Sequence, residues 1–431
     1  CHDIVCKIAA IVVVGGVRRS ALISLSDLND EEMRTAKSGQ WWEREGQRAL
    51  ANNSVNYKEK PNVGTFMREW LSLYDSKSGE RGMYNGASAK TQVEKLNERE
   101  KDENQEFIKR REPREDFGTN PCSEIILRSR EFCNLSECIV RRHDTTESLI
   151  KKVRIATIIG TFQSTLTNFR YLTKEWERNC SDERLLGVSL TGILDNPLTS
   201  GRKKGLDELL QTLRKVAVDT NKEWSSKLGV KRSAAITCVK PSGTVSQLVD
   251  SASGIHARHS PYYIRTVRAD NKDPLCQMMK QSGFPNEPDV TKPNHTTVFS
   301  FPTESPKGAI CRTDMTAIEQ LKLWSSYQEH WCEHKPSITV TVKDQEWPEV
   351  GSWVWENFDD ISGISFLPFS DHTYRQAPYQ DCTKNEYEEM SKLIPKDVDW
   401  TTLSKFEQQD FTAGSQELAC SADGGCEIVD I

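Results

Sequence analysis

Residues 117–137 read FGTNPCSEIILRSREFCNLSE and place an amide, a thiol and a carboxylate within five positions, with a second thiol shortly after. Pro121 biases Asn120 away from the helical region, so the segment is expected to enter as strand or straight loop. In an extended chain alternate side chains share a face, which turns Asn120, Cys122 and Glu124 one way and Ser123 the other. That is a thiol flanked by a hydrogen-bonding amide and a carboxylate placed to act as a general base. Ile125, Ile126 and Leu127 continue as a short run of buried-strand type. The polar RSRE then reads as a turn that brings Cys133 back beside Cys122. Taken singly, both cysteines fit equally well as small core hydrophobes, and Glu124 as a solvated carboxylate. The joint pattern is what points to chemistry.

Outward from this stretch, the pattern is that of an α/β protein. Residues 3–14 carry apolar side chains at helix spacing up to Gly15-Gly16, and VRRSALISL then alternates toward a strand. Leu149–Phe162 and Leu206–Leu228 read as amphipathic helices, with LLGVSLTGI between them as a buried strand. Helices alternating with short apolar strands imply a mixed architecture with ligands at strand ends. Residues 93–116 are almost wholly charged and read as a solvated helix or mobile insertion without chemistry.

Ala234–Val239 forms another strand, followed by KPSGTVSQL. Gly243 lets backbone approach a ligand, and Ser242, Thr244 and Ser246 offer hydroxyls near a helix start, where unpaired N–H groups favour an anion. The GxxxxGK[ST] order is missing, so this is not a Walker loop. A plain N-cap after a proline turn is the alternative.

The 431 residues suffice for one large or two ordinary domains with a real core. A net charge of −6 with both signs mixed gives no nucleic-acid-binding stripe. Thirteen cysteines in a chain this long do not suggest a secreted disulfide scaffold and fit a reducing cytoplasm. The apolar run Ile8–Val14 is too short to span a bilayer, so no membrane role is expected. His256 and His259, or His330, Cys332 and His334, lack the spacing of a metal motif, and no metal site is expected. The tail ELACSADGGCEIVDI carries Cys420 and Cys426 on a small, polar segment suited to thiol exchange.

NPCSEI followed by EFCNLSE resembles the active-site loop of ribonucleotide reductases, above all the monomeric adenosylcobalamin-dependent ribonucleoside-triphosphate reductases. GGVRRSA (15–21), ANNSV (51–55), GVSLTGI (187–193) and KPSGTVS (240–246) follow in the family's order. The resemblance implies part of a ten-stranded α/β barrel over residues 1–410, with the reactive cysteine on a central finger loop, and a mobile redox tail over 411–431. It implies a thiyl radical on Cys122, Glu124 as base, Asn120 orienting the sugar, and Cys133 with a second cysteine as reductant. Ser242, Gly243, Thr244 and Ser246 would hold substrate phosphates, and Asn52 and Asn53 would lie on a short loop linking effector and substrate sites. Adenosylcobalamin is the implied cofactor, contacted by residues 257–313 and 364–378, with His259, Tyr263 and Gln376 as individual contacts.

The implied partners are a ribonucleotide substrate, a deoxynucleotide effector and a thioredoxin-like reductant acting through Cys420 and Cys426. An upstream portion of the same protein, holding the partner of Cys133, is also implied. Cys1 adds the expectation of a protein-splicing element before it. Two alternatives stay open. One is a diphosphate reductase with a separate radical-generating subunit, for which the usual adjacent tyrosine pair is replaced by Tyr374 alone. The other is a non-catalytic nucleotide-binding module with structural thiols.

Overall fold

In the computed structural model, which describes residues 1–14, 17–18, 20–290, 293–369 and 376–407, the apolar runs pair into two groups of parallel strands. The first holds β1 (Leu22–Ser26), β2 (Ala51–Tyr57) and β3 (Gly82–Asn85). The second holds β4 (Asn134–Ile139), β5 (Leu186–Thr191), β6 (Thr237–Cys238), β7 (Thr339–Val342) and β8 (Gly363–Pro368). A parallel bridge between Val239 and Pro336 joins β6 to the segment entering β7. The order is therefore β4-β5-β6-β7-β8-β3-β2-β1, parallel throughout except at one seam. There β8 meets β3 antiparallel, with Gly363 opposite Tyr84 and Ile364 opposite Met83. The expected α/β class is what the structure has. Of the ten strands implied, eight lie in this order among the described residues, with β4 and β1 at the margins.

Parallel neighbours need crossovers, and helices supply them. Thr146–Gln163 links β4 to β5, Leu206–Leu228 lies between β5 and β6, and Trp347–Glu356 lies between β7 and β8. Leu186, Val188 and Leu190 of β5 share one buried cluster with Leu149 and Val153 of the first helix and Leu210 and Leu213 of the second. Each such side chain contributes about 1.5–3 kcal/mol on burial. The opposite face of β5 carries Gly187 and Ser189, small residues that leave room for something else. The 206–228 helix has the bounds its periodicity predicts and stops at Gly229, which adopts φ +66°. The N-terminal helix is shorter than expected, His2–Ala10. The β-branched run that follows pairs instead as Val13–Val14 with Val17–Arg18.

A second, antiparallel sheet runs Asn286–Pro288, Thr296–Glu304, Tyr262–Asp270, Tyr379–Asp381. Among the described residues no helix is long and apolar enough to cross a membrane.

The charged stretch 93–116 is exposed over 103–107, as expected, but departs from its solvated character toward its two ends. Val93 and Leu96 are buried on the helix Gly86–Asn97. Arg110 donates to both carboxylate oxygens of buried Glu333, at 2.6 and 3.0 Å. Arg111, also buried, pairs with Glu183 at 2.6 Å and donates to Ile126 O at 3.1 Å. Low apolar content misled here because the charges find partners inside the fold instead of water.

Candidate active site

Gly118–Thr119 and Ile126–Leu127 pair antiparallel and hold a tight turn between them. Ser123 N–H donates to Asn120 O at 2.8 Å, closing a turn with Pro121 at the position that favours proline. Ser123 takes the left-handed conformation, φ +66°. The extended reading of 120–124 is thus corrected: local hydrogen bonds fold the tip back on itself. Asn120 Oδ1 accepts from Ile125 N–H at 3.0 Å, and Thr119 Oγ1 donates to Ile125 O at 2.7 Å.

Both strand groups grip this hairpin. From β2, Asn52 Nδ2 donates to Pro121 O at 2.7 Å. From β3, Tyr84 Oη donates to Phe117 O at 2.9 Å. From the segment entering β7, Lys335 N–H donates to Glu124 O at 3.1 Å. Next to it, His334 Nδ1 accepts from Ile126 N–H at 3.3 Å, so its Nε2–H donates to Leu186 O at 3.0 Å. Burial holds that imidazole well below its ordinary pKa, neutral and structural. Gly363 of β8 faces the tip, where a Cβ would collide with Ser123 Oγ.

Cys122 lines a cavity of about 100 Å³ together with Asn52, Met83, Pro241, Thr339 and Gly363. This is smaller than the roughly 300–1,000 Å³ of most ligand pockets, so a nucleotide enters only if side chains shift. Burial, reinforced by the Glu124 charge, pushes the Cys122 thiol up to about 11. Glu124 is 0% exposed, and neither carboxylate oxygen has a hydrogen-bond partner among the described residues. Burial raises its pKa, opposed first by the nearby Asn120 amide, then by Lys240 and Lys335. Cys133 precedes β4 and faces Gly187, where a Cβ would meet its Sγ at 3.2 Å and Ile125 Cδ1 at 3.1 Å. Burial holds that thiol well above its ordinary pKa.

The turn after β6 adjoins the cavity through Pro241, and the Lys240 charge reaches both Cys122 and Glu124. Within it Ser242 and Ser246 are buried and satisfy each other: Ser246 N–H donates to Ser242 Oγ at 3.1 Å, and Ser246 Oγ donates to Ser242 O. Gly243 and Thr244 are exposed. The turn therefore presents Gly243 and Thr244, not the two serine hydroxyls.

Asn52 and Asn53 lie within strand β2, not on a loop, and strand alternation separates them. Asn52 meets the hairpin, whereas Asn53 Oδ1 lies 2.9 Å from His2 Nε2. His259 and Tyr263 belong to the second sheet and its approach. The His259 ring stacks on Tyr379 at 5.3 Å, and its Nε2 stands 3.0 Å from Asp381 Oδ1. Gln376 is buried, accepting from Val290 N–H at 2.9 Å and donating to Pro288 O at 2.8 Å. Of the regions expected to contact a corrin, Thr266 N–H in the second sheet donates to Pro378 O at 3.1 Å, whereas residues 364–368 lie in β8; nearby, His256 Nε2 accepts from the N–H of the cavity residue Thr339 at 3.0 Å. As individual contacts, His259 and Gln376 already have protein neighbours. Gly15, Gly16, Arg19, Tyr374, Cys420 and Cys426 lie outside the described residues.

Sequence reasoning missed Lys335 and Gly363. Both matter only because of what the fold brings against them, and neither sits in a recognisable motif.

No protein-family model matches the chain. Curated relatives do. Over 468 residues it is 28% identical to the adenosylcobalamin-dependent ribonucleoside-triphosphate reductase of Lactobacillus gasseri, covering 99% of this chain and 59% of that protein. The protein of the same description from Euglena gracilis is 26% identical, covering 98% and 55%. A crystal structure of a B-12 dependent (class II) ribonucleotide reductase superposes with a TM-score of 0.70 at 24% identity, covering 90% of this chain and 55% of that one. By sequence the chain is similar to these reductases, and by fold it is similar to the class II enzyme. It spans about half the length of these reductases. The class Id ribonucleotide reductase alpha subunit of Actinobacillus ureae shares the fold more distantly, with a TM-score of 0.52 at 12% identity.

Proposed function

We propose that the chain is the C-terminal part of an adenosylcobalamin-dependent ribonucleoside-triphosphate reductase, which replaces the ribose 2′-hydroxyl with hydrogen. The observation that carries this reading is the hairpin tip: a protonated thiol at a cavity, with one residue between it and a buried carboxylate whose oxygens have no hydrogen-bond partner among the described residues. Adenosylcobalamin, when bound, supplies the initiating radical chemistry. The 257–313 and 364–378 regions are the ones that would hold it.

The chain's own residues divide the remaining work. A thiol kept in its S–H form by burial can lose and regain a hydrogen atom, which a thiolate cannot; Cys122 as a thiyl radical removes the 3′-hydrogen. Glu124 accepts the 3′-hydroxyl proton as general base. Asn120 orients the sugar, and Gly243 and Thr244 approach the phosphates. Water leaves from the 2′-carbon. Two electrons and two protons come from Cys133 and a second cysteine, which end as a disulfide. Cys420 and Cys426 then reduce that disulfide by exchange and are reduced by a thioredoxin-like partner. A deoxynucleotide effector, an upstream portion of the protein and a cytoplasmic setting complete the proposal.

The test is deoxyribonucleotide formation from each ribonucleoside triphosphate, with adenosylcobalamin and a dithiol, by the chain in its full-length context. Cys122→Ser is expected to lower turnover by at least about a thousandfold while nucleotide binding is kept. Turnover unchanged by that substitution refutes the reading.

A further inference from the structure

Lys335 is 0% exposed, an uncommon position for a lysine without a structural or chemical reason. Pro336 follows it and the segment enters β7, so the side chain is aimed inward by a fixed backbone. Its Nζ donates to Ser123 Oγ at 3.2 Å and lies 4.5 Å from the centre of the Tyr84 ring. A Cβ on Gly363 would stand 3.3 Å from the same nitrogen. Ser123 is the one residue between Cys122 and Glu124, and it holds a left-handed conformation. The lysine thus grips the tip of the hairpin at its strained point. Its backbone N–H, at the same time, holds Glu124 O at 3.1 Å.

The charges around Glu124 are few. Lys335 and Lys240 are the cations that act on it, and the thiols of Cys122, Cys133 and Cys238 are the titratable groups that feel its charge. Around Lys335, Glu124 is the carboxylate that acts on the ammonium, with the Tyr84 face covering it. Burial keeps a carboxylate protonated unless neighbouring dipoles and positive charges compensate it, and at Glu124 the Asn120 amide, Lys240 and Lys335 oppose burial.

We infer that Lys335 is a positioning residue of this site: its ammonium clamps the hairpin tip through Ser123 and, together with Lys240, supplies positive charge that favours ionised Glu124 beside Cys122. Burial lowers the ammonium to about 7, and the Glu124 charge opposes that fall. The inference deepens the reductase reading and rests on it for the meaning of Glu124 as a base; the pairing itself can be measured without nucleotide or cofactor.

The experiment is infrared titration of the purified chain, with Glu124→Gln subtracted to isolate the Glu124 carboxyl band. Lys335→Met removes the positive charge, so the protonated carboxyl is favoured and the midpoint of its titration rises by about one pH unit, tenfold in proton affinity. Lys335→Arg, which keeps the charge, restores the midpoint. Ser123→Ala removes the clamp and leaves the charge, so the midpoint moves less than in Lys335→Met. The reciprocal measurement changes nothing at 335: with ¹³Cε-labelled lysine, Glu124→Gln is expected to shift the Lys335 titration to lower pH, because a negative charge has gone. A Glu124 midpoint indifferent to Lys335→Met in a folded variant overturns the inference, as does a Lys335 titration indifferent to Glu124→Gln. If both titrations move together but turnover is absent in the full-length context, the pair stands and the reductase reading falls.

Discussion

The hairpin tip at 120–125 and the turn at 240–246 adjoin one cavity, yet their polar groups are disposed in opposite ways. In the turn, Ser242 and Ser246 bond each other and are sealed from solvent. In the hairpin, both oxygens of Glu124 are buried without a partner among the described residues. Leaving such a group unsatisfied costs about 1–3 kcal/mol, more when it is charged. A fold bears that cost where a ligand can recover it. Ser242 and Ser246 thus serve the structure of the turn, whereas Glu124 has no such bond.

The comparison can be broken at the supports of the hairpin first. Arg110→Met leaves Glu333 buried without its bidentate partner and is expected to cost about 3–5 kcal/mol in urea unfolding. A loss under about 1 kcal/mol would mean that the charged segment does not anchor the hairpin's surroundings. Gly363→Ala drives a methyl group into Ser123 Oγ, for a loss of about 1–3 kcal/mol. The displaced tip should also make Cys122 alkylate faster at fixed pH, measured by mass spectrometry of its peptide.

On the second sheet, burial and neighbouring Arg312 push His259 down to about 4 from an ordinary 6.5. The unfolded chain then binds more protons than the folded one between those values, so stability falls as pH drops from about 6.5 toward 4 and levels off below. His259→Phe should flatten that part of the pH–melting profile; an unchanged slope assigns the acid sensitivity elsewhere. The smallest effects belong to the turn. Ser246→Ala should cost about 1 kcal/mol and leave nucleotide binding unaltered. Thr244→Ala should do the reverse, weakening triphosphate binding in calorimetry with the melting temperature unmoved. If Ser246 proves the binding residue, the contrast between the two turns is wrong.

Much of this was legible before any coordinates. The 206–228 helix follows from its apolar spacing and Gly229, and the class of the fold from helices alternating with short apolar runs. Cys122, Glu124 and Asn120 stand out because three reactive residue types share five positions. What local pattern cannot carry is the outcome of competition between nearby hydrogen bonds. The 120–123 turn was read as extended because Pro121 constrains Asn120 but says nothing of the Ser123 N–H that closes the turn. The resemblance implies a short loop at Asn52 and Asn53, whereas pairing with β1 and β3 makes this segment a strand. Lys335 could not be found at all, since a lysine becomes unusual only once the rest of the chain has enclosed it.

The antiparallel seam has one further consequence. Two residue pairs, Gly363 with Tyr84 and Ile364 with Met83, register β8 against β3, and the Cys122 sulfur shares its cavity with Met83, Gly363 and Ile364. A small sliding of one strand group past the other would therefore be felt at the thiol directly, without first being relayed through either helical layer. A short stitch in the sheet is thus also a short lever on the cavity.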